Sequence, residues 1–456
     1  MKPIDLSQEA IEELHAATAL YTAEPLVDTL LDQLSWPGGG KKLVDPSCGD
    51  GMFLLRALER LLTISAPGQF TDFSELQGWE IHEQACCEAR ARLETRLVAF
   101  GMTMQESALV ARSMVIHGDF LTGGPETPAY DYVAGNPPYL RWLNVPQLLR
   151  EKYAGVVPTY ASADMLHSFL DRCVKALRPG GQIGLVTADR WLSNANAAVL
   201  REEIGKRVSI DLVERVDAST AFYRPKTRKA GTPPRVSPVA LILSDRRSKA
   251  SIPITREPIY PGADPTQYKG VPLLSELATV RMAPWLGRTG VFVVDVDVAM
   301  GLPMESLVPV VDTRDLDGRV VGQPTHFAIK TMPGQLPAEA IRRHLLVAGA
   351  HSSPRAKRVA PWMPPETFHQ WDLDRPSLLI PRVARNPKPI RVPAGRLPVN
   401  HNISIVCDSR EQLGRIEAWL NTDAAAEWIH QRAPRLENGF YGINATLMRK
   451  MPVVLA

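Results

Sequence analysis

The stretch Lys42-Leu43-Val44-Asp45-Pro46-Ser47-Cys48-Gly49-Asp50-Gly51-Met52 decides the fold. An apolar run ends in an acid, turns through two glycines and opens into the amphipathic run Met52–Thr63. That is the strand, tight turn and helix junction from which a doubly wound sheet is built. Glycine at the turn lets a ligand approach the backbone closely. A phosphate cradle there would need more glycines or a lysine, so this turn suits a nucleoside that presents no phosphate to it.

Outward from this junction, β-rich apolar runs alternate with amphipathic ones from about Lys41 to Asp245. Strands are expected at Lys42–Asp45, Leu76–Glu80, Ser113–His117, Tyr132–Gly135, Gln182–Thr187, Ile210–Val216 and Val236–Leu243. Helices are expected at Met52–Thr63, Glu83–Phe100, Ala163–Leu177 and Ala197–Arg207. The pattern is an α/β, Rossmann-like sheet of seven strands, the last antiparallel. The run Phe222 to Arg235 carries five basic residues, three prolines and no acid, and reads as a mobile basic loop inside the last hairpin. Past Asp245 the chain becomes proline-rich and irregular, with short strands at Gly290–Val296 and His401–Val406. This divides it into residues 1–245 and an α+β part, residues 246–456.

The composition narrows the partners. The chain of 456 residues has a net charge of +3, but residues 246–456 hold 27 Lys+Arg against 19 Asp+Glu, which leaves residues 1–245 at −5. Residues 341–400 carry 11 basic and 3 acidic side chains, a stretch that fits either a polyanion or an ordinary solvated surface. Five cysteines without CxxC spacing argue against a disulfide framework and against zinc, so no metal is expected. Cys86 and Cys87 read as buried helix residues. No apolar run is long enough for a bilayer and no leader is apparent, so a cytoplasmic protein is expected.

Three acids follow the strands. Asp45 opens the glycine turn, Glu80 ends Leu-Gln-Gly-Trp-Glu where ribose hydroxyls are bound in dinucleotide folds, and Asp119 in His-Gly-Asp-Phe is placed to read an adenine edge. Singly, each serves equally well as a turn or helix cap. The tetrapeptide Asn136-Pro137-Pro138-Tyr139 ends the fourth strand at the sheet's carboxyl edge, where open α/β sheets place their sites. Asn-Pro is also a plain turn signal, but its place after a strand argues against that reading alone.

In these motifs and their order the chain resembles the gamma group of amino-methyltransferases, the TaqI-like N6-adenine DNA methyltransferases of restriction-modification systems. The resemblance implies S-adenosylmethionine as cofactor. Tyr21-Thr22-Ala23-Glu24-Pro25 is similar to the group's N-terminal cofactor motif, and Asp45 to Gly51 to its glycine turn. The implied cofactor positions are Thr22, Asp45, Ser47, Gly49, Gly51, Glu80, Ile81, Asp119, Phe120 and Asn136. Asn136, Pro137, Pro138 and Tyr139 fall on the catalytic tetrapeptide. Phe222 falls on a second aromatic that sandwiches the target base, although a phenylalanine there fits a core equally well and Tyr223 is an alternative. The segments Asp164–Phe169 and Gly184–Leu192 complete the likeness. Cys48 and Asp50 stand at turn positions that vary in the group.

Pro381-Arg-Val-Ala-Arg, His401-Asn-Ile-Ser and Asn438-Gly-Phe-Tyr-Gly-Ile-Asn resemble target-recognition regions, which makes residues 246–456 a candidate DNA-recognition domain. DNA contacts are expected at Arg224, Lys226, Arg228 and Lys229 in the loop and at Arg382 and Arg385, with double-stranded DNA as substrate; a cognate restriction endonuclease as partner and a free-standing methyltransferase without one are equally allowed. The tetrapeptide chemistry is consistent with this. An aromatic amine is a poor nucleophile; if the Asn136 side-chain oxygen and the Pro137 carbonyl accept its hydrogens, its lone pair is freed toward a methyl donor. Proline fixes the direction of that carbonyl, Tyr139 offers a face to the base, and a duplex substrate must flip the base out. Two alternatives stay open. A release-factor-type glutamine methyltransferase shares the tetrapeptide but lacks the long basic C-terminal part, and a DNA-binding modification subunit would need a partner.

Overall fold

The computed structural model describes residues 6–64, 73–223, 237–245, 250–264, 266–313, 316–317, 320–349, 362–436 and 439–455. The chain forms two compact units, Met1–Gly262 and Ala263–Ala456. The first unit runs past residue 245 because Ile252–Pro253 joins its sheet and because Arg201, almost fully buried, donates through Nη2 to the Arg256 carbonyl at 2.6 Å.

In the first unit the strands are β1 (Tyr21–Thr22), β2 (Leu43–Asp45), β3 (Leu76–Glu80), β4 (Val115–His117), β5 (Tyr130–Gly135), β6 (Leu177–Ala188), β7 (Ser209–Arg215), β8 (Phe222–Tyr223), β9 (Pro238–Ser244) and β10 (Ile252–Pro253). Eight of them form one sheet in the order β10-β7-β9-β6-β5-β2-β3-β4. From β4 to β6 the neighbours are parallel, while β9 runs antiparallel between β6 and β7. The seven expected strands and the antiparallel last one are present; β10 is an eighth, at the edge. The chain moves from β2 out to β4, then returns to β5 on the other side of β2. The strand order therefore reverses at β2 and β5, the crevice in which open α/β sheets bind ligands at their carboxyl ends.

The helices of this unit include α1 (Leu6–Thr18), α2 (Glu24–Gln33), α3 (Met52–Ile64), α4 (Glu83–Phe100), α5 (Met104–Met114), α6 (Phe120–Gly123), α7 (Gln147–Tyr153) and α8 (Met165–Ala176). Helix α4 begins at His82, whose side chain accepts from Ala85 N–H, and ends at Gly101 with φ 109°, a left-handed cap that glycine adopts without strain. Helix α5, started by a Thr103/Glu106 capping box, runs two residues into the expected strand Ser113–His117, so the strand begins only at Val115. Cys86 is buried in α4, but Cys87, one residue further round, is exposed, which corrects the expectation that both are buried.

The second unit is α+β. One four-stranded sheet has the order Thr279–Met282, Ile403–Val406, Ser377–Ile380, Ile390–Val392, and a second has Val293–Asp295, His326–Ile329, Leu307–Val311, Leu397–Pro398. Helices Arg410–Leu420 and Asp423–Arg432 pack into the apolar cluster of the first of these sheets. Two expected strands are shorter than the sequence implied. Asp295 ends one by capping the helix Val296–Ala299, and Asn400 and His401 take φ of 61° and 59°, so the other starts at Ile403. Among the described residues no helix is long and apolar enough to cross a membrane, and no group of three or more His, Cys, Asp or Glu is placed to hold a metal.

Candidate active site

The strand β2 delivers Asp45 to the crevice, and the turn that follows is built by the approach of other elements. Gly49 takes φ 53° and Gly51 φ 86°, and a Cβ on Gly51 would lie 2.9 Å from the Ala89 Cβ of α4. The turn is tied down by Cys48 N–H donating to the Trp79 carbonyl and Gly49 N–H donating to Glu80 Oε2, both at 2.8 Å. Glu80 Oε1 accepts from His82 N–H at 2.8 Å. Burial raises the Glu80 pKa while these two backbone donors pull it down. The carboxylate keeps lone pairs for further donors such as ribose hydroxyls.

Asp45 is fully buried, and desolvation pushes its pKa up to about 8 despite the Ser47 N–H donating to Oδ1 at 3.0 Å. A Cβ on Gly135 would lie 2.5 Å from the same oxygen, so the residue before Asn136 has to be glycine for β2 and β5 to end side by side. The Ser47 hydroxyl donates to the Asn136 carbonyl at 3.3 Å, joining the glycine turn to the tetrapeptide.

Asn136 Nδ2 donates to the Leu20 carbonyl at 2.7 Å. A carbonyl oxygen can only accept, so this bond fixes which end of the carboxamide is oxygen. Oδ1 is left for a donor, here the Tyr139 hydroxyl, which also reaches the Val186 carbonyl at 2.7 Å. Tyr139 and Pro137 are buried. Asp119 both caps α6, accepting from Leu121 N–H at 3.0 Å, and lines the cleft; burial raises its pKa. The cap and the ligand-facing position are therefore not exclusive.

A cleft of about 830 Å3 opens over these groups. Of the expected cofactor positions, Thr22, Asp45, Ser47, Gly49, Glu80, Ile81, Asp119, Phe120 and Asn136 line it, whereas Gly51 lies behind it against α4. Pro138 lines it too. The cleft's carboxylates, turn amides and apolar wall are the groups that a nucleoside needs. Thr22 Oγ1 is buried with no hydrogen-bond partner among the described residues, a group that a bound ligand would satisfy.

Sequence reasoning missed several wall residues. Leu14, His15 and Thr18 of α1 line the cleft, and His15 stacks on His82 with ring centroids 3.8 Å apart. His82 Nδ1 accepts from Ala85 N–H, so its Nε2 is the nitrogen that donates to Glu12 Oε2 at 3.0 Å. Trp79, Tyr153, Met165 and Phe169 complete the apolar wall, with Phe120 and Phe169 stacked at 6.4 Å. Phe169 was legible as the last residue of the Asp164–Phe169 segment; His15, on an unpredicted helix, left no signal.

Phe222 is 8% exposed, pairs with Thr22 across the β1–β8 ribbon and packs in the core of the first unit, one of the two placements the sequence allowed. Arg224, Lys226, Arg228 and Lys229 lie outside the described residues, as does most of the basic loop. In the second unit Arg382 and Arg385 are exposed. They flank Val383–Ala384, which pairs with Tyr441–Gly442, while Arg382 Nη1 donates to His401 Nδ1 at 3.1 Å. The Arg385 guanidinium lies 4.9 Å from the Phe440 ring centroid. The three C-terminal segments that the sequence singled out thus meet in one place.

Comparison with known proteins adds likenesses of sequence and of fold. The family model described as Eco57I restriction-modification methylase matches residues 88–222, a span that includes the tetrapeptide. The Type II methyltransferase M.XhoI of Xanthomonas vasicola is 24% identical over 95% of this chain and 90% of its own length, and M.PaeR7I of Pseudomonas aeruginosa is 25% identical over 99% and 88%. This chain is a methyltransferase of the restriction-modification kind. In fold the methyltransferase is similar to the Type IIL restriction-modification enzyme MmeI, with TM-score 0.58 at 14% identity, covering 98% of this chain and 65% of that longer one. S-adenosylmethionine is the cofactor to which these methyltransferase relatives point, and the cleft described above has a donor set that can receive it.

Proposed function

We propose that this methyltransferase transfers a methyl group to the N6 amino group of adenine in double-stranded DNA, with the target base flipped out of the helix. The observation that carries the reading is the clamped carboxamide: Asn136, its oxygen end fixed by Leu20, stands at the end of β5 on the cleft that the glycine turn and Glu80 also line. S-adenosylmethionine, when bound, supplies an electrophilic methyl group. Glu80 and the glycine turn hold its nucleoside portion, and Thr22 and Asp119 supply further polar contacts.

Asn136 Oδ1 accepts one hydrogen of the target amine and the Pro137 carbonyl the other. The nitrogen becomes more pyramidal and its lone pair localises, which is positioning and preorganised electrostatics rather than proton abstraction. The Tyr139 hydroxyl has one proton; with Asn136 Oδ1 engaged by the amine it keeps its bond to the Val186 carbonyl. After transfer the surplus amine proton leaves to solvent. The exposed Arg382 and Arg385, together with the basic residues 224 to 229, contact DNA phosphates, and the unit Ala263–Ala456 reads the target sequence. A restriction endonuclease that cuts the unmodified site is the matching partner.

Incubation of the purified protein with labelled S-adenosylmethionine and genomic DNA, followed by sequencing that maps methylated bases, tests the reading. Label at N6 of adenine within one recurring sequence supports it. Label on cytosine, or on polypeptide but not DNA, refutes it.

A further inference from the structure

Asp50 stands in the glycine turn, and its side chain has a definite task. It is 2% exposed, and its Oδ2 takes Arg92 Nη2 of α4 at 2.7 Å. The Tyr223 hydroxyl donates to the same oxygen, and Arg92 Nη1 reaches that hydroxyl at 3.3 Å. A turn, a helix and the strand β8 therefore close on one carboxylate.

The opposite strand of the ribbon reaches the same turn. Tyr21 pairs with Tyr223, their rings 5.8 Å apart, and a Cβ on Gly49 would lie 2.9 Å from Tyr21 Cε1. One residue on, Thr22 brings its unpartnered hydroxyl to the cleft. The ribbon thus grips the glycine turn by an aromatic ring at Gly49 and by a charge-assisted hydrogen bond at Asp50, the stronger class of such bonds. Gly49 in turn presents its N–H to Glu80. A shift of Tyr223 is transmitted through Asp50 to the backbone that shapes the nucleoside end of the cleft.

We propose that Tyr223, acting through Asp50 and Arg92, is a positioning residue that sets the geometry of the glycine turn and hence how tightly S-adenosylmethionine is held. The inference rests on the cofactor reading of the cleft and not on the identity of the methyl acceptor.

The test is calorimetric titration of the full chain with S-adenosylhomocysteine, together with amide hydrogen exchange of residues 47 to 52 in the cofactor-free protein. Tyr223→Phe and Asp50→Asn each weaken binding by about tenfold and speed exchange at the turn, since each removes one partner of a buried bond. The double variant loses no more than the worse single one, because both act through the same contact. Arg92→Lys, which keeps the charge and loses the fork, retains more affinity than Arg92→Ala. Binding by Tyr223→Phe within about twofold of wild type, or losses that multiply in the double variant, overturn the proposal. Should Tyr223→Phe fail to fold, the Asp50→Asn and Arg92 pair decide by the same criteria. A wild-type chain that does not bind S-adenosylhomocysteine refutes the cofactor reading as well, whereas intact wild-type binding with unaffected variants refutes only this inference.

Discussion

Replacing Asn136 by aspartate keeps an acceptor oxygen for the target amine but removes the NH2 that donates to the Leu20 carbonyl at 2.7 Å. Two oxygens then face each other where one hydrogen bond stood. Leaving a buried acceptor unmet costs about 1–3 kcal/mol; this bond is part-buried, so the lower end applies, and at about 1.36 kcal/mol per tenfold in rate about 1 kcal/mol is roughly fivefold if the whole cost falls on the transition state. Protonation relieves it, because a carboxylic acid regains a donor for Leu20. The ratio of Asn136→Asp to wild-type rate therefore rises as pH falls from about 8 toward about 5. Asn136→Ala, which has no acceptor, loses transfer altogether and shows no such recovery, while cofactor binding is largely kept in both. The assay is single-turnover transfer of labelled methyl groups to DNA at saturating cofactor. A near-wild-type rate for Asn136→Asp with a pH-independent ratio would refute the Leu20 clamp, and near-wild-type turnover by Asn136→Ala would refute the acceptor role itself.

Charge reversal at Arg382 and Arg385 weakens DNA binding and flattens its dependence on salt, by up to about 0.9 in the log–log slope for each phosphate that is no longer neutralised. Affinity unchanged across a salt titration would remove these two residues from the interface. Phe222→Ala, at a core position, lowers stability by about 3–5 kcal/mol. If the ring also serves the flipped base, transfer slows more on fully paired DNA than on DNA with a mismatched target, where flipping costs less; equal slowing on both leaves Phe222 with packing alone. Asp45 stays protonated in the folded chain up to about pH 8 but ionises from its ordinary value of 3.8 when unfolded. The unfolded chain thus sheds that proton first, and stability drains between these two values as pH rises. Asp45→Asn has no proton to lose, so its melting temperature relative to wild type climbs from pH 4 to pH 8. A flat difference would show that Asp45 is not held neutral.

The local chemistry of the chain settled a good deal on its own. The strand ending in Asp45, the paired glycines and the helix behind them specify a Rossmann-like crossover without reference to any neighbour, because turn geometry and hydrophobic period are properties of a dozen contiguous residues. Asn136-Pro137-Pro138-Tyr139 was legible in the same way as a site at the end of β5, where Asn136 and Pro138 line the cleft. The helices α1, α2 and α5 were not read, and α1 supplies His15 to the cleft wall. Tertiary packing decided what depends on residues far apart: that Leu20, 116 positions before Asn136, orients its carboxamide; that Gly135 is demanded by the Asp45 carboxylate; that Asp50 belongs to Tyr223 and Arg92; and that Phe222 is buried beside Thr22. Each of these contacts forms only when the sheet brings its strand ends together, and a pattern of neighbouring residues holds no record of which distant backbone carbonyl or carboxylate will be there.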